Sequence, residues 1–221
     1  MESEFVITID GPAGSGKSTI AKKLADKIGF LYLDTGAMYR SVAYISIEYN
    51  RDPVEVASNL DFEILESKNG DKFIANGTDV TSKIRTHEID DKVSKISSIR
   101  EVRKHLVKIQ RKFAKNKKIV IEGRDTGTVV FPDADLKFYL DASIEIRAKR
   151  RYNQKNEKKL TNDSFSLEKI KNKIKKRDNS DKNREWGALK KPDDAYVIDT
   201  TSLSKKEVLK EILSYLAEYE Y

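Results

Sequence analysis

One eight-residue segment, Gly11–Ser18, constrains the fold of this chain more than any other feature. Its sequence, GPAGSGKS, fits the pattern G-x-x-x-x-G-K-[ST] in full. The apolar run Phe5–Ile9 before it predicts a buried strand, and the spacing of Lys17–Ile28 after it predicts a helix that stops at Gly29. A chance glycine turn is the alternative, but a strand before the loop and a helix after it are the context that the motif requires. The segment therefore predicts a phosphate-binding loop.

The residue types of this loop suit a nucleoside triphosphate bound with Mg²⁺. Glycines allow backbone amides to curl around phosphate, and the helix that begins near Lys17 adds its positive end. We expect the Lys17 ammonium on the β and γ phosphates and the Ser18 hydroxyl as a Mg²⁺ ligand. The predicted ATP-binding residues are Gly11, Pro12, Ala13, Gly14, Ser15, Gly16, Lys17, Ser18 and Thr19.

Short apolar strands and charged helical segments alternate along the rest of the chain. This alternation predicts an α/β fold, in which a P-loop NTPase-type parallel sheet is flanked by helices. Residues 61–85 differ, because two apolar runs there flank Asn69-Gly70, a hairpin turn signal that predicts a small antiparallel insert. The other expected strands are 30–33, 119–121, 136–140 and 196–198. The expected helices are 37–49, a short one from Pro53, 143–156, 166–180 and 204–219, and residues 86–116 are helical, charged sequence. Residues 126–134 are expected as a loop.

The positive charge of the chain is concentrated in one segment. Residues 147–191 hold 17 Lys or Arg against 6 Asp or Glu, whereas the net charge of the whole chain is +7. We expect this segment to face phosphate, either of a nucleotide or of a nucleic acid. Within it, the Lys/Asn-rich stretch 153–163 predicts a mobile loop.

The scarcity of cysteine and histidine excludes several kinds of site. The chain has no cysteine and two histidines, His87 and His105, which excludes disulfides, thiolate nucleophiles and metal centres rich in Cys or His. The first residues are acidic where a secretory signal is basic, and no apolar run has the length of a membrane span. We expect a cytoplasmic protein that does not contact a membrane.

Three further segments indicate where an acceptor would bind. Asp34–Arg40 follows the second predicted strand, and the Arg40 guanidinium is suited to donate two parallel hydrogen bonds to an acceptor phosphate. The strand at 119–121 ends in Glu122-Gly123-Arg124-Asp125, whose three charged side chains suit a catalytic crevice. Residues 177–184 contain guanidiniums suited to bind a transferring phosphoryl group. Each segment alone also fits a plainer interpretation, namely a surface arginine after a turn, a salt-bridged strand end or a solvated run of charges.

Together these segments resemble bacterial cytidylate kinase, from about Phe5 to the C-terminus. The most specific stretches are Ile9–Ser18, Leu33–Arg40 and Gly123–Ala134, and the hairpin insert followed by Ile84–Thr86 also matches. The resemblance implies transfer of a phosphoryl group from ATP, with Mg²⁺, to CMP or dCMP in pyrimidine nucleotide metabolism, by a monomer. It implies a single kinase domain over 1–221, with a core at about 1–36, 117–150 and 188–221, an inserted NMP-binding subdomain at about 37–116 and a short lid region at about 150–187.

The resemblance also assigns roles to matching residues. It places Arg40, Arg124 and Arg184 on the CMP phosphate, Ser94, Arg103 and Asp125 on cytosine, and Arg177 and Asp181 on the sugar hydroxyls; Thr35 completes the CMP-binding set. Lys17, Arg124, Arg150 and Arg184 are the expected catalytic residues. Arg150 matches a lid arginine, although Arg147 and Arg151 compete for that role. Two departures are Glu122, where relatives often carry Asp, and the stretch 153–163.

Other functions remain open at this point. Another P-loop small-molecule kinase, with UMP, AMP or a non-nucleotide acceptor, fits the same phosphate loop. A GTPase would need an Asn-Lys-x-Asp motif, which the sequence lacks. The basic segment also suits a nucleic-acid-binding protein, but its aromatic residues are few, Tyr152, Phe165 and Trp186, whereas stacking on single strands uses several. We therefore expect small-molecule partners and no nucleic acid.

Overall fold

The computed structural model describes residues 4–65, 71–157 and 166–219. The chain divides into two compact units, Met1–Tyr32 with Asn116–Tyr221, and Leu33–Lys115. Most of the Lys/Asn-rich stretch and the Asn69-Gly70 turn lie outside the described residues. The limits of core, insert and lid given above stay a prediction.

The first unit is built on a parallel sheet, as the alternation of strands and helices predicted. The sheet has five strands in the order β2-β6-β1-β7-β8. β1 pairs in parallel with β6 and β7, and β7 pairs in parallel with β8. All six residues of β1 are buried, as expected for a central strand covered on both faces. The strands are β1 (Phe5–Asp10), β2 (Leu31–Asp34), β6 (Lys118–Glu122), β7 (Leu136–Asp141) and β8 (Tyr196–Asp199).

The described residues of this first unit include four helices. One hydrophobic cluster holds β1 and β7 against the first and last of them, with Ile9, Leu24, Phe138 and Ile212 fully or almost fully buried. The last helix is fixed at its start by a capping box, in which Ser204 and Glu207 satisfy each other's backbone amides. The helices are α1 (Lys17–Ile28), α6 (Ile144–Glu157), α7 (Leu167–Lys182) and α8 (Lys205–Leu216).

The second unit contains the predicted antiparallel insert. β3 pairs antiparallel with β4, with Phe62 opposite Ala75, which confirms the hairpin. A short third strand, which the sequence analysis missed, pairs with β4 after the Asn76-Gly77 turn. The elements are α2 (Thr35–Glu48), α3 (Pro53–Ser58), β3 (Phe62–Leu65), β4 (Lys72–Ala75), β5 (Thr78–Asp79), a 3₁₀ turn (Lys83–Arg85), α4 (His87–Ile96) and α5 (Arg100–Ala114).

Two local expectations were wrong. α2 begins at Thr35 rather than at Ala37, because the Asp34 side chain caps the helix by accepting a hydrogen bond from the Ala37 amide at 2.9 Å. Residues 126–130 form a π-helical turn rather than a loop, closed by the Phe131 amide, which donates to the Thr126 carbonyl at 2.7 Å. None of the described helices has both the length and the apolar character that crossing a bilayer requires.

Candidate active site

The phosphate loop has the backbone conformation that its glycines predict. Gly11, Gly14 and Gly16 have φ values of 146°, 83° and 100°, which side-chain-bearing residues rarely adopt. A Cβ atom on Gly11 would lie 2.0 Å from the Leu140 carbonyl oxygen, so that position has no room for a side chain. β1 therefore turns into α1 through a loop that passes against the end of β7.

Lys17 is held inside this loop. Its side chain is buried, and its Nζ atom donates a hydrogen bond to the Pro12 carbonyl at 2.9 Å. Burial, together with the nearby cations Arg124 and Arg151, lowers the pKa of Lys17 to about 7. An anion bound at the loop would supply the negative charge that this ammonium lacks, which is the electrostatic requirement of a phosphate site.

Ser18, the predicted Mg²⁺ ligand, is hydrogen-bonded to Glu122. The Ser18 hydroxyl donates to Glu122 Oε1 at 2.7 Å, and Glu122 is buried at the end of β6. A hydroxyl and a carboxylate are hard oxygen donors of the type that Mg²⁺ prefers, and Mg²⁺ keeps several waters beside such ligands. The residues present therefore fit the metal, even though Glu122 is longer than the aspartate that the resemblance led us to expect.

Asp10 connects the start of the phosphate loop to the turn that follows β6. Its Oδ1 atom accepts hydrogen bonds from the Thr126 amide at 3.0 Å and the Thr126 hydroxyl at 2.8 Å, and its Oδ2 atom accepts from the Gly127 amide at 2.7 Å. Burial, only partly opposed by these bonds, raises the pKa of Asp10 to about 6. The sequence analysis did not single out this residue, although an acid that ends a buried strand was a usable signal.

Three predicted site arginines surround one carboxylate at the end of α7. Arg124 donates through Nε to Asp181 Oδ2 at 2.9 Å, and Arg184 pairs with the other oxygen of Asp181. Burial opposes the charge of Asp181, but Arg124, Arg184 and Arg177 outweigh it and lower the pKa of Asp181. Likewise, burial opposes the charge of Arg124, yet Asp181 and Glu122 raise its pKa. Arg124 and three residues near the end of α7, 53 to 60 positions later in the chain, therefore form one cationic cluster, and all four were predicted site residues.

Asp125 lies in the same unit and next to this cluster in sequence. It is buried, and its charge contributes to the raised pKa of Asp10. Its carbonyl accepts hydrogen bonds from the Val129 amide at 2.9 Å and the Val130 amide at 3.2 Å, so it begins the π-helical turn.

The second unit contains the other predicted acceptor residues. Arg40 donates to the Ile84 carbonyl at 3.1 Å and to Asp90 Oδ1 at 2.6 Å. Arg103 is 1% exposed, and its guanidinium lies over the Tyr39 ring, 5.2 Å from the centroid. Within this unit Thr35 is buried at the start of α2, and Ser94 is half-buried on α4.

Three arginines of α6 are distinguished by their contacts. Arg150 donates to the Ser15 carbonyl at 3.3 Å and to the Thr200 hydroxyl at 2.9 Å. Arg147 instead donates to the Ala13 carbonyl at 3.0 Å and pairs with Asp178. The positive charge of Arg151 contributes to the lowered pKa of Lys17. The sequence analysis named neither Asp178 nor Thr200 as a site residue, because nothing in the sequence indicates that they contact the phosphate loop.

Comparison with protein families gives one match over nearly the whole chain. The cytidylate kinase family model matches residues 7–218. Curated cytidylate kinases from Halalkalibacterium halodurans and Bacillus subtilis are each 44% identical to the chain, over 96% of it, and over 97% and 96% of their own lengths. The cytidylate kinase from Caldanaerobacter subterraneus is 47% identical over 93% of the chain and 92% of its own length.

Solved structures agree on the fold. A shikimate kinase from Acinetobacter baumannii, determined in complex with shikimate, matches with a TM-score of 0.50 at 16% identity, over 98% of this chain and 95% of that one. A protein from Eubacterium ventriosum matches with a TM-score of 0.54 at 14% identity, over 97% and 99% of the two chains. At these identities the likeness concerns the fold alone, a parallel sheet flanked by helices.

Proposed function

The chain belongs to the cytidylate kinase family, and we propose that it transfers the γ-phosphoryl group of ATP to CMP or dCMP, giving ADP and CDP or dCDP. One observation supports the proposal above all. A complete phosphate loop with a buried lysine lies in the same compact unit as a cluster of three arginines around Asp181. Phosphoryl transfer requires positioning of two anionic groups and neutralisation of the charge on the transferring group, and these residues are suited to both tasks.

On the donor side, the loop amides and Lys17 hold the triphosphate. Lys17 donates to the Pro12 carbonyl in this structure, so we propose that the β and γ phosphates replace that carbonyl as its partner. Arg150, which reaches the loop from α6 at the Ser15 carbonyl, is proposed to stabilise the transferring group. Mg²⁺ would be held by Ser18, with Glu122 beside it, and would supply positive charge that offsets the charge of the triphosphate.

On the acceptor side, we propose that Arg40, Arg124 and Arg184 bind the CMP phosphate and that Thr35 contributes its hydroxyl. Arg177 and Asp181 are proposed to contact the sugar hydroxyls. Asp181 holds Arg124 and Arg184 by ion pairs, so their guanidiniums are oriented before substrate arrives.

Cytosine offers an amino donor and two acceptors, and the proposed base-reading residues match that pattern. The Asp125 carboxylate would accept from the amino group, while Arg103 and Ser94 would donate to the ring acceptors. Uracil would present a carbonyl oxygen to Asp125, acceptor against acceptor, which leaves buried polar groups unsatisfied. We therefore propose that CMP and dCMP are preferred to UMP, and that transfer is direct and in line, because the chain has no cysteine and no histidine in the site motifs.

The finer properties stay predictions. We propose that the protein acts in the cytoplasm, as a monomer, on small-molecule substrates. The alternatives, a P-loop kinase for another acceptor or a nucleic-acid-binding protein, have less support, because the family match and three curated relatives, at 44% to 47% identity, share one named activity.

A Lys17→Ala variant tests the proposal. We expect the unsubstituted chain to release ADP from ATP when CMP and Mg²⁺ are present, and the variant to lose about a thousandfold in turnover, since Lys17 neutralises charge in the transition state. Circular dichroism should show an unchanged fold, and CMP should still bind. The assignment would be contradicted if the turnover of the variant stayed within about threefold of that of the unsubstituted chain.

A further inference from the structure

The ion pair between Arg147 and Asp178 contacts both backbone polar groups of Ala13 in the phosphate loop. Asp178 Oδ1 accepts a hydrogen bond from the Ala13 amide at 3.1 Å, and Arg147 Nη1 donates to the Ala13 carbonyl at 3.0 Å. The two side chains also pair directly with each other, and Arg147 Nε donates to the Ala142 carbonyl at 2.9 Å. Both polar groups of the Ala13 residue are therefore satisfied by side chains from α6 and α7.

The surroundings of this pair exclude water and leave little freedom of movement. Asp178 and Arg147 are 7% and 8% exposed. The Ala13 side chain packs in a small hydrophobic cluster with Ala148 of α6 and two isoleucines of α7. A Cβ atom on Gly14 would lie 3.0 Å from the Arg147 carbonyl oxygen, so α6 passes directly behind the loop. Ion pairs and hydrogen bonds in such a place are well defined in geometry.

Because the Ala13 amide is used by Asp178, it is not available to a phosphate. Fixing the two peptide groups on either side of Ala13 sets the direction from which the chain enters residues 14–17, whose amides form the anion-binding concavity of a phosphate loop. We propose that Arg147 and Asp178 are a positioning pair for the phosphate loop, which holds the backbone on both sides of Ala13 so that the following amides are pre-oriented for the donor triphosphate. The inference rests on the proposed function, and it adds two residues that touch neither substrate.

The pair acts on donor binding and not on the chemistry of transfer. Loss of pre-orientation weakens the binding of ADP and ATP, since the loop must then be ordered by the ligand itself. Because a saturating donor reorders the loop, KM for ATP rises much more than kcat falls. Asp178 accepts from the phosphate loop, whereas Arg124 and Arg184 are paired with Asp181, so CMP binding changes much less than donor binding.

Two substitutions separate this role from a purely structural one. Asp178→Asn keeps one oxygen, which can still accept from the Ala13 amide, but the NH₂ group then faces Arg147 and the ion pair is lost. Arg147→Met keeps much of the side-chain volume and removes the donor to the Ala13 carbonyl. Glu145→Gln is the matched control, because Glu145 and Lys171 form an exposed α6–α7 ion pair at 2.8 Å that does not involve the loop.

The experiment is calorimetric titration of the full chain with Mg²⁺–ADP and, separately, with CMP. We expect about tenfold weaker ADP binding in Asp178→Asn and in Arg147→Met, the size of effect expected when a hydrogen bond to a charged group is lost. CMP affinity should stay within about threefold, and Glu145→Gln should match the unsubstituted chain on that scale. If Arg147→Met does not fold, Asp178→Asn decides.

The inference would be overturned if the Asp178→Asn variant folds and binds ADP as tightly as the unsubstituted chain. It would also be overturned if the affinities for ADP and CMP fell equally, because that result indicates a general structural role. A rise in KM for ATP of the same size as the loss in ADP affinity would support it. If the unsubstituted chain itself bound no ADP, the proposed function would fail and this inference with it, so the two failures are distinguishable.

Discussion

Replacing Asp10 by asparagine isolates the effect of one buried carboxylate on the stability of the phosphate-loop unit. Asp10 is 0% exposed and accepts three hydrogen bonds from Thr126 and Gly127. Asparagine has nearly the same shape but carries an NH₂ group, which would face one of these donors. Leaving a buried donor unsatisfied costs about 1–3 kcal/mol, which sets the expected loss of stability at low pH.

The pH dependence has a definite sign. Burial raises the pKa of Asp10 from 3.8 to about 6 in the folded chain. Between these values the folded state binds more protons than the unfolded state, so the stability associated with this group is fully present below pH 3.8 and is lost as pH rises through 6. Between about pH 4.5 and pH 7.5 this loss amounts to about 2 kcal/mol. The asparagine side chain of the Asp10→Asn variant does not titrate, so the variant would not show this loss.

Urea unfolding followed by circular dichroism at several pH values measures this effect. The stability advantage of the unsubstituted chain over Asp10→Asn should shrink by about 2 kcal/mol from about pH 4.5 to pH 7.5. Titrating groups that the substitution does not affect cancel in the difference between the two chains. If the advantage of the unsubstituted chain stayed constant or widened as pH rises, the reasoning would be refuted, because the hydrogen bonds would then outweigh burial.

Three further substitutions test other parts of the structure. Gly11→Ala should abolish ADP binding and lower the melting temperature, because its Cβ atom would meet the Leu140 carbonyl oxygen at 2.0 Å; calorimetry and thermal denaturation check this. Asp181→Asn leaves Arg124 and Arg184 without their shared anion, so we expect the free energy of unfolding to fall by about 3 kcal/mol. CMP should restore part of this stability, which melting temperatures with and without CMP would measure. Ser204→Ala removes the capping box of α8 and should cost about 1 kcal/mol with unchanged kcat, and a changed kcat would contradict it.

Much of the fold was predictable from the sequence because local signals agree with the tertiary structure. The strand, glycine loop and helix at the N-terminus have the expected order, and α1 has the predicted bounds and ends at Gly29, which is left-handed. The missed features are those decided by contacts distant in sequence. The turn at 126–130 is π-helical because it is tied to Asp10, more than a hundred residues earlier, and no local periodicity indicates that.

The candidate site was predicted unevenly for the same reason. The phosphate loop is contiguous, so its residue types and spacing define it. The arginines at 124, 177 and 184 were named from residue type and resemblance, and their convergence on Asp181 requires the end of α7 to lie close to the residues that follow β6. Asp178 and Thr200 escaped notice, because their partners Ala13 and Ser15 lie 165 and 185 residues away.

The central claim is that the loop and the arginine cluster serve one reaction, transfer of a phosphoryl group from ATP to a cytidine monophosphate. Initial rates of ADP release with CMP, dCMP, UMP and AMP, each with ATP and Mg²⁺, test it most directly. The account predicts rapid release with CMP and dCMP, at least about a hundredfold slower release with UMP and AMP, and CDP formed in equal amount to ADP. Faster turnover of UMP or AMP than of CMP, or ADP release without a phosphorylated acceptor, would contradict it.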